Sequence, residues 1–335
     1  SWRPLDAARA AAFATVAIGI GGSMTYGQTI GLTQDPALVG NARALAWGML
    51  GLALKGGIWI GFAGLFLGAG LGGCRYRPSE LALLTAACLA AFLLGCALLN
   101  TPFDPAQRRL PLLYFSADWR WQPEAELRPR REVWGGLLLA LVLATIYMGR
   151  RRRDPLAPRL AAWGFLAGAL GFPAGQSLQA AHAWNLDWFR TGPLQHWDPL
   201  LNWWNFMETT FGAIMGAVLG LALGRLRTRI RPPSEPVRPL HPGFEAALLI
   251  LHLTLLLTAE FADLPTGIYT EFSLIMVLLP LIGISAGRAW PFLTPLVVTL
   301  LPITGKTVRE LVFREPLVGP VTGWLVLVLA PVALN

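Results

Sequence analysis

Lysine occurs only twice in 335 residues, at Lys55 and Lys306. Lys55 stands in the middle of an apolar run, where a charge is expensive and marks a functional candidate. It reads as a substrate or proton site, or as half of a buried ion pair with an acid such as Glu208. Glu208 is the only acid of the run 207–224 and sits at its outer end, so partial solvation is the plainer account of it. Further along, Glu245, His252 and Glu260 share one side of a helix, within about 80° at 100° per residue. His252 is near the centre of its run. A histidine titrates closest to neutral pH, and Glu260, two turns away, extends a proton path. A neutral imidazole bonded to a backbone carbonyl is the structural alternative.

Gln28, Gln176, Gln179 and His182 lie in stretches loosened by Gly21, Gly22, Gly27, Pro173 and Gly175. Such breaks kink a helix and free backbone groups for a ligand. Interhelical hydrogen bonding by the glutamines, worth about 0.6–2 kcal/mol each, is the competing account. No Gly-rich phosphate loop, HExxH, GxSxG or CxxC is present. Cys74, Cys88 and Cys96 have no metal spacing and read as small core residues. No metal site is expected, and the sequence names no cofactor.

The elements that must position these groups are membrane helices. Apolar residues make up 54% of the chain and charged residues 14%, well below the roughly 25% of soluble domains. Ten candidate spans follow, near 10–31, 43–72, 81–99, 133–149, 157–183, 200–224, 243–263, 270–288, 290–304 and 316–333. Each is about long enough to cross ~30 Å of hydrocarbon. The last two are broken by Pro291, Pro295, Pro302, Pro316, Pro320 and Pro331 and read as half-helices or a re-entrant pair. Arg3 and Arg9 precede a stretch read as a first span and not as a leader. The expected class is an all-α integral membrane protein.

Two runs carry glycine stripes: Gly57, Gly61, Gly64, Gly68 and Gly72 in one, and Gly212, Gly216, Gly220 and Gly224 in the other. Such stripes let another backbone approach, which is how helices associate in lipid. Lys55 points away from the first stripe, towards Gly48, Gly51, Trp59 and Phe62. Gly27-Gln28-Thr29-Ile30 resembles Gly175-Gln176-Ser177-Leu178, and each precedes a loop, a tryptophan (Trp47, Trp204) and a striped helix. That order suggests two parallel four-helix repeats. The expected division is 1–150 for the first repeat, 151–289 for the second and 290–335 for a C-terminal Pro-rich pair.

The net charge of +8 sits in arginine clusters between apolar runs, which fits headgroups and not nucleic acid. Arg150–Arg153 and Arg225–Arg231 place the N-terminus in the cytoplasm of a bacterial inner membrane. The opposite side then carries the long 101–132 loop, read as a lid or vestibule, and the Trp-rich 184–204 segment.

Three functions fit. The first is a permease for a small solute, coupled to a proton or ion through Lys55, Glu208, His252 and Glu260. The second is a membrane enzyme acting on a lipid or lipid-linked substrate at the outer face, with Arg108, Arg109, Arg120 and Arg190 as clamps and Asp118, Glu208 or His196 as acid or base. The third is a non-catalytic subunit of a homo-oligomer or larger membrane complex, with His182 or His252 available to a pigment or haem.

Overall fold

The computed structural model describes residues 26–74, 76–196, 198–232 and 241–261, with eight isolated positions nearer the two ends. Every regular element among them is helical. The helices are α1 (Gly27–Gln34), α2 (Ala42–Leu71), α3 (Pro78–Leu99), α4 (Trp134–Ile146, continued by a π turn at Tyr147–Arg151), α5 (Ala157–Trp184), α6 (Leu186–Thr191), α7 (Trp203–Arg225) and α8 (Pro242–Phe261). Four stretches are long and apolar enough to cross a membrane: Ala42–Leu71, Ser79–Leu99, Trp203–Arg225 and Pro242–Ala259. Their apolar length fits a lipid bilayer.

The count of ten spans and the repeats are not established by this architecture. Helices occur at six of the expected positions, and in the first span the described helical residues are those of α1 and the positions Ala10, Phe13, Ala14, Ala17 and Ile18. The spans expected at 270–288, 290–304 and 316–333 lie outside the described residues. α5 is long, but Pro173, Gln176, Gln179 and His182 make its second half polar.

Residues Met24–Arg231 form one compact unit, and residues 1–23 with 232–335 form another. α8 belongs to the second. The expected boundary at 150/151 falls inside the first unit, and the boundary at 289/290 lies outside the described residues.

The central seam of the first unit joins α2 to α5, running antiparallel. Gly56 meets the backbone of Gly168, Gly64 that of Leu160, and Gly68 that of Ala157. A side chain at any of these would strike backbone atoms. Lipid gives helices no hydrophobic reason to associate, so close backbone approach supplies the contact. The opposite side of α2 holds a second groove. Gly48 receives Leu32 and Thr33 of α1, and Gly51 receives Thr29 and Phe115. α3 and α4 make a hairpin by the same device, with Gly95 against Gly135 and Gly136. Asn100 Oδ1 accepts from the Gly135 N–H at 2.9 Å and ties its ends.

The second stripe behaves differently from the expectation. Among the described residues, Gly212, Gly216, Gly220 and Gly224 have nothing within 4 Å of where a Cβ would stand. α7 instead docks at another place, where the Phe211 ring and backbone and the Met207 carbonyl sit against Gly171 and Gly175 of α5. The small residues of that crossing come from α5 and the bulk from α7.

Local chemistry sets the helix starts. Asn41 Oδ1 accepts from the Ala44 N–H, and Asn202 Oδ1 from those of Trp204 and Asn205. Asp154 begins α5. Its Oδ1 accepts from Leu156 N–H at 2.8 Å and Ala157 N–H at 2.9 Å, and its Oδ2 accepts from the Tyr76 hydroxyl at 2.8 Å. Burial, and then the Asp154 charge, push the Tyr76 hydroxyl far above its usual range, so it remains a donor. Asp154 is 2% exposed, so Asp154→Ala should cost about 1–3 kcal/mol by losing a cap and stranding buried donors. A thermal melt in detergent should read several degrees lower, with a smaller loss for Tyr76→Phe.

Candidate functional site

The long 101–132 loop folds down onto α1 and α2, and its last acid enters the bundle. Glu132 stands just before α4, and its Oε1 lies 2.7 Å from Lys55 Nζ. Their side chains are 1% and 2% exposed. Lys55 also donates to Thr29 Oγ1 at 2.7 Å. The Ser116 hydroxyl donates to Glu132 Oε1 at 2.7 Å, and the Phe115 N–H to Oε2 at 3.0 Å. The acid that meets Lys55 is thus Glu132, not Glu208. Two buried charges survive here because both carboxylate oxygens and the ammonium are hydrogen-bonded.

The loop is held by further contacts. Gln28 clamps its returning strand, donating Nε2–H to the Arg128 carbonyl and accepting from the Arg130 N–H, both at 3.0 Å. The Tyr114 hydroxyl donates to the Arg130 carbonyl, and the Trp47 indole N–H to the Tyr114 carbonyl. Burial first, then the charge of Glu132, raise the Tyr114 hydroxyl well above its ordinary value. Asp118 pairs with Arg120 at 2.6 Å. Gln28 therefore fastens the loop.

Gln176 is in a different environment from its expected counterpart. It is fully buried and donates Nε2–H to Thr33 Oγ1 at 2.7 Å. Its Oε1, and that of buried Gln179 one turn on, have no hydrogen-bond partner among the described residues. The matched positions Gln28 and Gln176 thus have different surroundings and do not establish the repeat.

His182 follows at the end of α5. Its Nε2 lies 2.8 Å from Asp198 Oδ1, which also accepts the Trp203 indole N–H at 2.9 Å. This close contact is an ion pair only when the ring carries a proton. The ring stacks on Trp203 at 4.3 Å and meets the edge of Phe189 at 5.0 Å. Beside it an open cavity of about 540 Å³ is lined by Gln34, Val39, Trp184, Asp187 and Trp188. The Trp184 indole N–H donates to the Thr33 carbonyl and joins this corner to α1.

A buried polar seam results. It runs from Glu132 and Lys55 through Thr29 and Thr33 on one face of α1 to Gln176, Gln179, His182 and Asp198. His182 lies roughly 20 Å along α5 from Gly168, which faces Gly56 next to Lys55. The seam thus links a buried ion pair to the loop end of the bundle. Beneath it Tyr26, Trp59, Phe172 and Phe211 form an aromatic box, with Phe172 and Phe211 stacked at 4.8 Å.

Of the other expected residues, Glu208 is outside this seam, and His252 and Glu260 belong to the second unit. Glu208 is exposed on α7 and accepts the Trp204 indole N–H at 2.9 Å. His252 is buried within α8, in the second unit. Glu260 lies on α8, and its side-chain surroundings fall outside the described residues. Sequence reasoning missed Glu132 and Asp198. Glu132 had one signal, an acid two residues before an apolar run; Asp198 sat in a segment that reads as an aromatic belt.

Comparison with protein-family models, with curated proteins and with solved structures finds no match for this chain.

Proposed function

We propose that the protein is a multi-pass membrane permease for a small polar solute, loaded from the loop end and coupled to a proton or ion. The buried polar seam carries this reading. Polar side chains in an apolar bundle are expensive and tend to line substrate or proton routes. Here two amide oxygens, on Gln176 and Gln179, have no hydrogen-bond partner among the described residues and stand between a histidine at the mouth and an ion pair at depth. Protonation of His182 at the mouth, and exchange of Lys55 between Glu132 and an incoming group, are the two coupling events the arrangement offers. The arginine clusters support a bacterial inner membrane with the loop end outside.

The test uses proteoliposomes carrying an internal pH dye and pools of small polar solutes added outside. Wild-type protein should move protons with at least one pool and accumulate its labelled component. Gln176→Leu/Gln179→Leu, still monodisperse in detergent, should lose most of that flux. Absence of flux and uptake with every pool overturns the reading.

A second reading rests on the His182–Asp198 contact itself. A half-buried histidine 2.8 Å from a carboxylate, next to an open cavity with tryptophan walls, suits acid–base chemistry on a lipid or lipid-linked substrate. Product formation from a lipid extract, lost in His182→Gln, would select it over transport.

A further inference from the structure

At the end of the first unit opposite the loops, a cavity of about 780 Å³ opens between the start of α3 and the π turn after α4. It is lined by Arg77, Glu80, Leu83, Tyr147, Arg151 and Arg152. Three guanidinium groups thus face one carboxylate. That carboxylate is already engaged: Glu80 Oε1 lies 2.7 Å from Arg152 Nε and accepts the Tyr147 hydroxyl at 2.8 Å. Arg152 is further held over the Tyr76 ring, 5.6 Å from its centroid. Arg77 and Arg151 are exposed and have no carboxylate partner among the described residues. Among the described residues the cavity therefore carries more guanidinium than carboxylate charge.

Its position is as telling as its charge. Pro78 and Ser79 begin one apolar span and Arg151 ends another segment, so the cavity lies at headgroup depth. Its apolar wall is Leu83, 73% exposed. From Leu83 an exposed strip of Ala87, Ala90 and Leu94 continues along α3 at helical spacing. A guanidinium-lined pocket that opens onto such a strip matches a molecule with a phosphate at one end and an acyl chain at the other. We propose that this cavity binds the phosphodiester headgroup of an anionic phospholipid, with one acyl chain along the Leu83–Leu94 strip. The proposal is independent of whether the protein transports or catalyses.

Native mass spectrometry of the full chain in detergent tests it, with phosphatidylglycerol, phosphatidylcholine or inorganic phosphate as the added probe. Wild-type protein should retain phosphatidylglycerol in preference to phosphatidylcholine. Arg77→Gln/Arg151→Gln should weaken that retention about tenfold, since two basic contacts are removed. Arg227→Gln/Arg229→Gln, two exposed arginines on another loop, should leave it unchanged. Equal retention of both lipids overturns the proposal. So does an equal effect of the two double variants, which would mean diffuse surface charge. Displacement of phosphatidylglycerol by millimolar inorganic phosphate would also overturn it, by assigning the cavity to a soluble anion.

Discussion

Gly168→Ala is expected to break the first unit, whereas Gly216→Ala should leave it intact or slightly more stable. The two glycines look alike in sequence: each belongs to a run of small residues inside an apolar helix. Their surroundings differ completely. A Cβ on Gly168 would drive into the Gly56 carbonyl, and one on Gly56 would lie 2.5 Å from the Gly168 carbonyl oxygen. Neither obstacle is the end of a flexible side chain, so the helices must separate. Separation also loosens Gly64 from Leu160 and Gly68 from Ala157 along the same seam. Overpacking commonly costs about 1–3 kcal/mol, and backbone against backbone belongs at or above the top of that range. At roughly 2–4 °C per kcal/mol, the melt in detergent should fall by about 6–12 °C, with loss of the monodisperse peak. Gly216 has nothing within 4 Å among the described residues, so alanine there should act through helix propensity, a gain of about 0.5–1 kcal/mol. Equal effects at the two positions would contradict the seam.

That contrast also measures what the sequence could tell. The period of Gly57–Gly72 marked α2 as a close-packing helix, and it is one. The same period in Gly212–Gly224 marked α7 equally well, yet that stripe is open in the described structure. Periodicity reports that a helix has a flat face; it does not report which helix arrives there. Helices at six of the expected span positions were legible because length and apolarity depend on each segment alone. The candidate site was legible only in part, because it is assembled from segments far apart in the chain. Lys55 stood out through its cost, but Glu132 reaches it only because the loop doubles back, held by Gln28, Tyr114 and Trp47. Likewise His182 was visible on a helix, while Asp198 comes from a short turn with no periodic signal.

Removal of one charge from the Lys55–Glu132 pair should be the other severe change. Glu132→Leu would leave an ammonium 2% exposed without its carboxylate, though still donating to Thr29 Oγ1, and would strand the Ser116 hydroxyl and the Phe115 N–H. Breaking a buried pair from one side costs about 3–5 kcal/mol, much of it the burial of the orphaned charge. Lys55→Met leaves a carboxylate that keeps two donors, Ser116 and Phe115, and can take up a proton, so its loss should be the smaller of the two. The double variant Lys55→Met/Glu132→Leu should recover much of the stability, because two apolar side chains of similar bulk need no solvation. A second readout separates stability from architecture. Glu132 fastens the end of the 101–132 loop, so limited proteolysis should cut that loop in Glu132→Leu at temperatures where the helices remain folded. If the double variant recovers stability yet loses the solute-driven flux, the pair serves transport and not merely the fold. If it recovers both, the ion pair is a fastening for the loop, and the functional part of the seam begins at Gln176. A loss in the double variant equal to the sum of the single losses would mean that the two charges do not act as a pair.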